Sequence, residues 1–276
     1  MKFASLGSGS EGNSLLVSTS PSFSPSCADS LSNSGAGACS NGTTVMVDCG
    51  FGIKETERRL ARLGKLAQDI SGIVVTHEHS DHVGGVFKFA RRHRIPVWLT
   101  RGTFAAVGEQ ACKDVALHFC RDSETLSIGE LTLRPYTVPH DAREPVQFVV
   151  SDGSRKLGML TDAGQSTAHL LQALGGCDAL ILECNHDRQM LADSSYPLSL
   201  KRRIGGAYGH LANDTSAEIL AALDKHRLKT IIGAHLSLKN NTPELARNAL
   251  CGALASHPAE IMIAGQEAGF GWVAIA

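Results

Sequence analysis

A chain of 276 residues, 43 % apolar and 19 % charged, has an ordinary globular balance and can bury a substantial core as one large or two small domains. Its formal net charge of −1 excludes a global field drawing it onto nucleic acid or membrane, although a local basic rim is compatible with it. No apolar run approaches a membrane span, the first residues lack the apolar stretch of a secretory signal, and the eight cysteines include no C-x-x-C pair. The expectation is therefore a cytoplasmic protein, with Cys49, Cys177 and Cys184 as core residues and no disulfide scaffold.

Residues 2–6 and 13–19 read as two short strands around a Gly/Ser turn at 7–12. Residues 19–42 change character, with eight serines, two prolines and three glycines. Such a segment cannot bury enough surface to order itself, so a flexible Ser/Gly/Pro-rich inserted loop is expected there. A strand over 43–47 ends in Asp48-Cys49-Gly50. A helix over 53–63 carries Ile53, Leu60 and Leu63 on one side, with Gly64 as its stop. The apolar run 72–76 predicts a buried strand, and Thr76-His-Glu-His-Ser-Asp-His82 follows directly from it. Helix 83–92, strand 96–100 and helix 101–111 come next. The middle is β-rich, with strands over 115–119, 126–128, 131–138, 146–151 and 156–161 and a hairpin turn at Asp152-Gly153. The last third alternates helix 166–174, strand 178–183, helix 213–224, strand 229–234, helix 243–254 and strands 261–264 and 271–275. Alternation in both halves, with hairpins between, predicts two central sheets with helices outside, an α/β sandwich.

The pattern His77-x-His79-x-Asp81-His82 leaves the carboxyl end of a strand on a loop. Imidazole nitrogens and carboxylate oxygens are good ligands for first-row metals. Functional loops sit at strand ends in such architectures, and three further ligand-type residues end apolar runs: His140, Asp162 and His235. Seven donors suit two divalent metals that share a carboxylate. The assignment is His77, His79 and His140 on the first, Asp81, His82 and His235 on the second, and Asp162 between them. A hydroxide held between two metals is a nucleophile at neutral pH, and the pair can clamp the oxygens of a phosphoryl group. Zinc suits such a site first, and manganese or iron also suit it.

The series Asp48, His77-x-His79-x-Asp81-His82, His140, Asp162, His235 resembles the metallo-β-lactamase-fold hydrolases over nearly the whole chain. The resemblance implies a four-layer αβ/βα sandwich, one domain over residues 1–276, with Asp48 orienting the histidine loop from behind rather than binding metal. Asp162 stands where the class B β-lactamases use cysteine, which argues against antibiotic hydrolysis. The 41 residues after His235 leave little room for the helical domain of glyoxalase II-type thioesterases.

Two further patches point to phosphodiesters. Glu183 ends a predicted strand and His210 lies in Gly209-His-Leu-Ala-Asn213 before a helix. Similar motifs in the tRNA 3′-end-processing endonucleases form a proton donor to the leaving oxygen, a carboxylate holding an imidazolium as general acid. Asp81, Glu183 and His210 are the catalytic candidates. The opening Lys2–Ser14 segment, Glu183-Cys-Asn-His-Asp187, Tyr196–Ile204, Gly209–Asn213 and His235–Asn241 look most like the YycJ/WalJ-type group of bacterial metallo-β-lactamase proteins. That group implies exonuclease-type processing of DNA.

Lys201, Arg202 and Arg203, just before the His210 loop, are possible phosphate contacts, or a solvated helix face. Arg91-Arg92-His93-Arg94 has the same two readings. His186 sits beside a site element, whereas His93, His118, His169, His226 and His257 have no motif around them. The leading expectation is a dinuclear metal-dependent phosphodiesterase or nuclease acting on DNA or RNA, with no membrane partner and an open oligomeric state. A small-molecule phosphodiesterase, a thioesterase and a non-catalytic metal-stabilised scaffold are the alternatives.

Overall fold

Among the described residues, short apolar strands build two seven-stranded mixed sheets. The structure, a computed structural model, describes residues 1–19 and 42–276. The first sheet contains β1 (Lys2–Gly7), β2 (Ser14–Ser18), β3 (Thr44–Val47), β4 (Gly72–Val74), β5 (Val97–Leu99) and β6 (Leu117–Phe119), closed by β14 (Phe270–Ala274) in the order β14-β1-β2-β3-β4-β5-β6. The second contains β7 (Leu126–Ile128), β8 (Leu131–Thr137), β9 (Val146–Ser151), β10 (Lys156–Leu160), β11 (Ala179–Glu183), β12 (Thr230–Ala234) and β13 (Glu260–Ile263) in the order β13-β12-β11-β10-β9-β8-β7. In each sheet a parallel half joins an antiparallel half. β3 to β6 and β10 to β13 are parallel, and β11 and β12 are buried along almost their whole length, as strands covered on both faces must be.

The layers follow from where the apolar side chains go. Phe3, Val17, Val45, Phe148, Leu157, Ile181, Ile232 and Phe270 form the core between the sheets. Leu60, Phe87, Phe89 and Ala90 pack the outer face of the first sheet, and Leu170, Leu174, Ile219, Leu220 and Leu250 that of the second. The helices are α1 (Ile53–Arg62), α2 (Ser80–Val83), α3 (Val86–His93), α4 (Arg101–Val107), α5 (Glu109–Cys112), α6 (Ala168–Leu174), α7 (Arg188–Asp193), α8 (Leu198–Ile204), α9 (Asn213–Ala222) and α10 (Pro243–Leu254). The result is the expected four-layer αβ/βα sandwich. No helix of the described residues is long and apolar enough to cross a membrane. Cys49, Cys177 and Cys184 are buried free thiols, as read from the sequence.

Several boundaries differ from the sequence expectation, each for a local reason. The helix expected over 83–92 is two, α2 and α3, separated at Gly84-Gly85. The helix expected over 101–111 breaks at Gly108, whose φ of 82° no helix accommodates. The helix expected from 166 starts at Ala168, because Thr167 caps it by accepting from Leu170 N. α7 and α8 were not expected, since neither shows an apolar period long enough to stand out; Asp187 caps α7 by accepting from Met190 N.

Most of the 19–42 insert lies outside the described residues. Its two ends are side by side: Thr19 N donates to Thr43 O at 2.9 Å, and Thr43 N donates to Thr19 Oγ1 at 2.8 Å. That junction is at the end of the β2–β3 pair remote from Asn13 and Asp48. β3, β4, β8, β10, β11 and β12 all run toward one common edge of the sandwich, and the predicted site residues are found there.

Candidate metal centre and active site

Six strand ends converge on this edge. Asp48 follows β3, His77 to His82 follow β4, His140 follows β8, Asp162 follows β10, Glu183 ends β11, and His235 follows β12. Asp48, Asp162 and His235 have positive φ, at 59°, 55° and 57°. For residues with a Cβ this conformation is uncommon and costs about 1–3 kcal/mol each. Three of the seven such residues described stand in this one cluster, so the strand ends are bent to aim side chains inward.

The imidazoles form one continuous cluster, within which both expected ligand groups are found. His77, His79 and His140 place one nitrogen each within 4.8 Å of the others, with His140 Nε2 3.2 Å from His79 Nδ1. Asp81, His82 and His235 form the second group by the same measure. Asp81 Oδ2 is 3.4 Å from His82 Nε2 and 3.8 Å from His235 Nε2. Asp162 lies between the groups, its Oδ1 3.9 Å from His140 Nε2 and its Oδ2 3.1 Å from His82 Nε2.

His77, His82, His140 and His235 are each oriented from behind. Asp48 Oδ2, which can only accept while ionised, lies 2.8 Å from His82 Nδ1. That bond holds a proton on Nδ1 and turns Nε2 to the centre, where a cation would replace the second proton and take its lone pair. Thr76 donates to both Asp48 oxygens, through N at 2.8 Å and Oγ1 at 2.7 Å. Having spent its proton, Thr76 Oγ1 accepts from His77 Nδ1 at 3.0 Å. His140 Nδ1 donates to Gly209 O at 3.0 Å. Glu183 Oε1 takes both His235 Nδ1, at 2.9 Å, and His210 Nδ1, at 2.8 Å. Its Oε2 accepts from Ala163 N and Leu211 N. With both oxygens committed, Glu183 holds rings and loops in place.

These residues fit divalent cations. His77 Nε2, Asp162 Oδ2 and His235 Nε2 are buried without a hydrogen-bond partner, whereas buried polar atoms are nearly always paired. All three point into clusters of nitrogen and carboxylate donors, the ligand types a divalent transition metal prefers. The electrostatics agree. Burial holds the His77 and His140 imidazoles below their ordinary range, hence neutral and able to coordinate. Burial opposes charge on Asp162 too, but His235 and His82 outweigh it and keep the carboxyl well below the usual range. Asp81 behaves alike: burial raises it, and the neighbouring His235 and His82 rings bring it down further. The converse holds for the His82 and His235 rings. Burial lowers His235, yet Asp162, Asp81 and Glu183 lift it to about 10. A bound cation would replace these imidazolium protons, so loading the centre releases protons.

A cavity of about 300 Å³ opens over the cluster, bordered by Ser10, Asp81, Asp162, Asn185, Arg203, His210 and His235, among others. Burial disfavours protonation of His210, but Glu183 outweighs it and raises the imidazole above its ordinary value. Arg203 donates to Asp141 Oδ2 at 2.6 Å, and Asp141 Oδ1 lies 3.6 Å from His79 Nε2. Lys201 and Arg202 border a neighbouring cavity instead.

Sequence reasoning missed several supports. Asn13 Nδ2 donates to Asp81 Oδ2 at 3.1 Å. Ser8 Oγ accepts from His235 N at 2.9 Å, and Asn185 Nδ2 donates to His235 O at 2.9 Å. The Gly/Ser turn after β1 was the available signal, since it brings Ser8 and Asn13 to the ligand edge. Asn241, by contrast, ends the His235–Asn241 segment singled out in the sequence; it acts one step away, pairing with Asn213 and donating to Cys184 O. The motif-free histidines stand apart from the centre: His93 pairs with Glu57, His118 stacks on Trp98, His169 pairs with Asp122, His226 with Asp224, and His257 with Lys225 O.

Two substitutions test the framework. Asp48→Ala frees the His82 ring and Thr76 together; such outer supports are worth about 10–100-fold in metal affinity, and metal titration of the purified variant measures the loss. Gly50 lies under the ligand loop, where a methyl would come 1.9 Å from Asp81 O. Gly50→Ala is expected to displace Asp81 and to cost about 1–3 kcal/mol, read as a lower unfolding midpoint together with reduced metal content.

Residues 43–232 match the family described as "Beta-lactamase superfamily domain". The chain is 34 % identical over 251 residues to the exodeoxyribonuclease YycJ of Bacillus anthracis, covering 90 % of this chain and 86 % of that one. It is 29 % identical over 258 residues to the exodeoxyribonuclease WalJ of Streptococcus pneumoniae, covering 92 % and 88 %. The metallo-β-lactamase fold protein YhfI from Bacillus subtilis superimposes with a TM-score of 0.69 at 15 % identity, over 99 % of each chain.

Proposed function

This chain belongs to the beta-lactamase superfamily, and on that premise we propose that it is a dinuclear metal-dependent phosphodiesterase, a nuclease acting on DNA or RNA ends. The observation that carries the reading is His210, clamped by Glu183 at 2.8 Å on the border of a cavity whose floor is the metal-ligand cluster. An acid placed opposite a metal pair is what cleavage of a phosphodiester with a poor leaving group needs. Extended similarity to two exodeoxyribonucleases supports the same substrate class.

His77, His79 and His140 would hold one cation, Asp81, His82 and His235 the other, and Asp162 would reach both. Divalent cations held there supply Lewis acidity and a nucleophilic water at neutral pH. Asp48, Thr76 and Glu183 hold Nδ1 of His82, His77 and His235, so that Nε2 of each is turned to the cation. Asp81, one oxygen fixed by Asn13, orients the attacking water. Arg203, anchored by Asp141 at the cavity border, offers its remaining N–H groups to a phosphate oxygen. His210 keeps a proton at Nε2 and delivers it to the departing oxygen, while Glu183 stabilises the imidazolium until then. Zinc suits this donor set first, then manganese or iron. We place the enzyme in the cytoplasm and assign residues 1–276 to one domain.

A substrate panel with metal analysis tests the proposal: end-labelled single- and double-stranded DNA and RNA, cyclic phosphates, bis-p-nitrophenyl phosphate and an S-acylglutathione. Metal-dependent release of nucleotides is expected. Turnover of only the small phosphodiesters would move the assignment to a small-molecule phosphodiesterase, and turnover of only the thioester would overturn it.

A further inference from the structure

A second cavity, of about 410 Å³, lies between α7 and α8, within the roughly 300–1,000 Å³ typical of ligand sites. The chain segments that border it also border the metal cavity: His186 follows Asn185, and Lys201 and Arg202 precede Arg203. His186 is only 1 % exposed, yet neither ring nitrogen makes a hydrogen bond among the described residues, and its Nδ1 is wholly buried. A wholly buried ring nitrogen without a partner is uncommon in protein interiors. A methyl on Gly205 would stand 3.9 Å from His186 Nε2 and 3.5 Å from Leu191 Cδ2, so Gly205 leaves open the space the ring faces.

The surroundings specify a ligand. Burial pushes His186 down to about 4, so the ring is neutral, and its Nε2, the nitrogen toward Gly205, offers one hydrogen-bond position to a polar atom of a nucleobase. Leu191 supplies an apolar wall. Three cations border the cavity: Arg188 is paired with Asp214, Lys201 donates to Ala192 O, and Arg202 has no ion pair among the described residues. An open, partly apolar hollow with an uncharged ring at its base and an unspent guanidinium on its border suits a base carrying a phosphate.

We propose that this cavity is a nucleotide subsite, taking the base of the substrate nucleotide next to the scissile phosphate while Arg202 and Lys201 hold the flanking phosphate. The proposal rests on the nuclease reading above and gives it a position for the neighbouring nucleotide. It accounts for a basic run of which Arg203 alone reaches the metal cavity.

Gly205→Leu closes the cavity without touching a metal ligand, and Arg202→Gln is a surface change that leaves packing intact. In the metal-loaded protein, each is expected to raise KM for a labelled single-stranded DNA by about tenfold, the order one base or phosphate contact is worth. Hydrolysis of bis-p-nitrophenyl phosphate, too small to fill the cavity, serves as the internal reference for Gly205→Leu. Equal KM for DNA in the wild type and both variants would overturn the subsite. Binding of 5′-dAMP, followed through the His186 ring signals by NMR, separates this from failure of the nuclease reading. If the wild type cleaves no nucleic acid but dAMP shifts the His186 signals, and Gly205→Leu abolishes that shift, the subsite stands and the nuclease reading falls. Unmoved His186 signals in such an inert protein would overturn both.

Discussion

Asp162→Ala is expected to reduce phosphodiester hydrolysis by about a thousandfold or more and to leave the purified protein short of metal. Asp162 is 2 % exposed, and among the described residues it alone reaches both histidine groups with a carboxylate, one oxygen toward His140 and the other toward His82. Charge stabilisation at a metal-assisted phosphoryl centre is worth several kcal/mol, and each 1.4 kcal/mol or so is a factor of ten in rate. Removal also leaves His82 and His235 facing each other with less negative charge between them. Asp162→Asn separates charge from shape, since the amide keeps the volume and fills the same bent strand end. Metal content by elemental analysis and initial rates on bis-p-nitrophenyl phosphate are the measurements. A variant retaining full metal and more than a tenth of the rate would remove Asp162 from the bridging position.

His210→Ala is expected to lower kcat on DNA by about 10²–10⁴, the usual worth of a positioned general acid, with metal content unchanged. The leaving group gives a signature that loss of packing could not produce. A p-nitrophenolate departs without protonation, so bis-p-nitrophenyl phosphate should be hydrolysed almost as fast as by the wild type. Equal losses on both substrates would deny the proton-donor role. Glu183→Gln should behave differently, because Glu183 holds His235 as well as His210, at 2.9 and 2.8 Å. That variant is expected to lose metal affinity and acid catalysis together, whereas His210→Ala loses only the second.

The site was legible in unequal parts. His77, His79, Asp81 and His82 announce themselves because a single loop carries all four. His140, Asp162 and His235 could be found because each ends an apolar run, and an apolar run of that length is a buried strand whose end must turn outward. Glu183 and His210 were visible only through their resemblance to a known pair. Their sharing with His235 was not, because the contact joins residues 52 positions apart in chain. Asn13, Ser8 and Asp141 were missed for the same reason: a short polar residue in a turn has no local mark that separates a support from a solvated side chain. Among the elements, β11, β12 and α10 were clear from continuous apolar runs and from Pro243 after the capping Thr242. α7 and α8 were not, since helices of six and seven residues hold too few turns to reveal a period.

By itself, then, the chain determined the donor types, their order and the alternation of strands and helices, because burial and backbone pairing act on local pattern. Only the tertiary structure decided which histidine nitrogens face the centre, that one carboxylate serves both His210 and His235, and that His186 opens onto a separate cavity. Those outcomes depend on which strand ends become neighbours, and that is set by sheet order and by bends at Asp48, Asp162 and His235 that residue identity alone does not reveal.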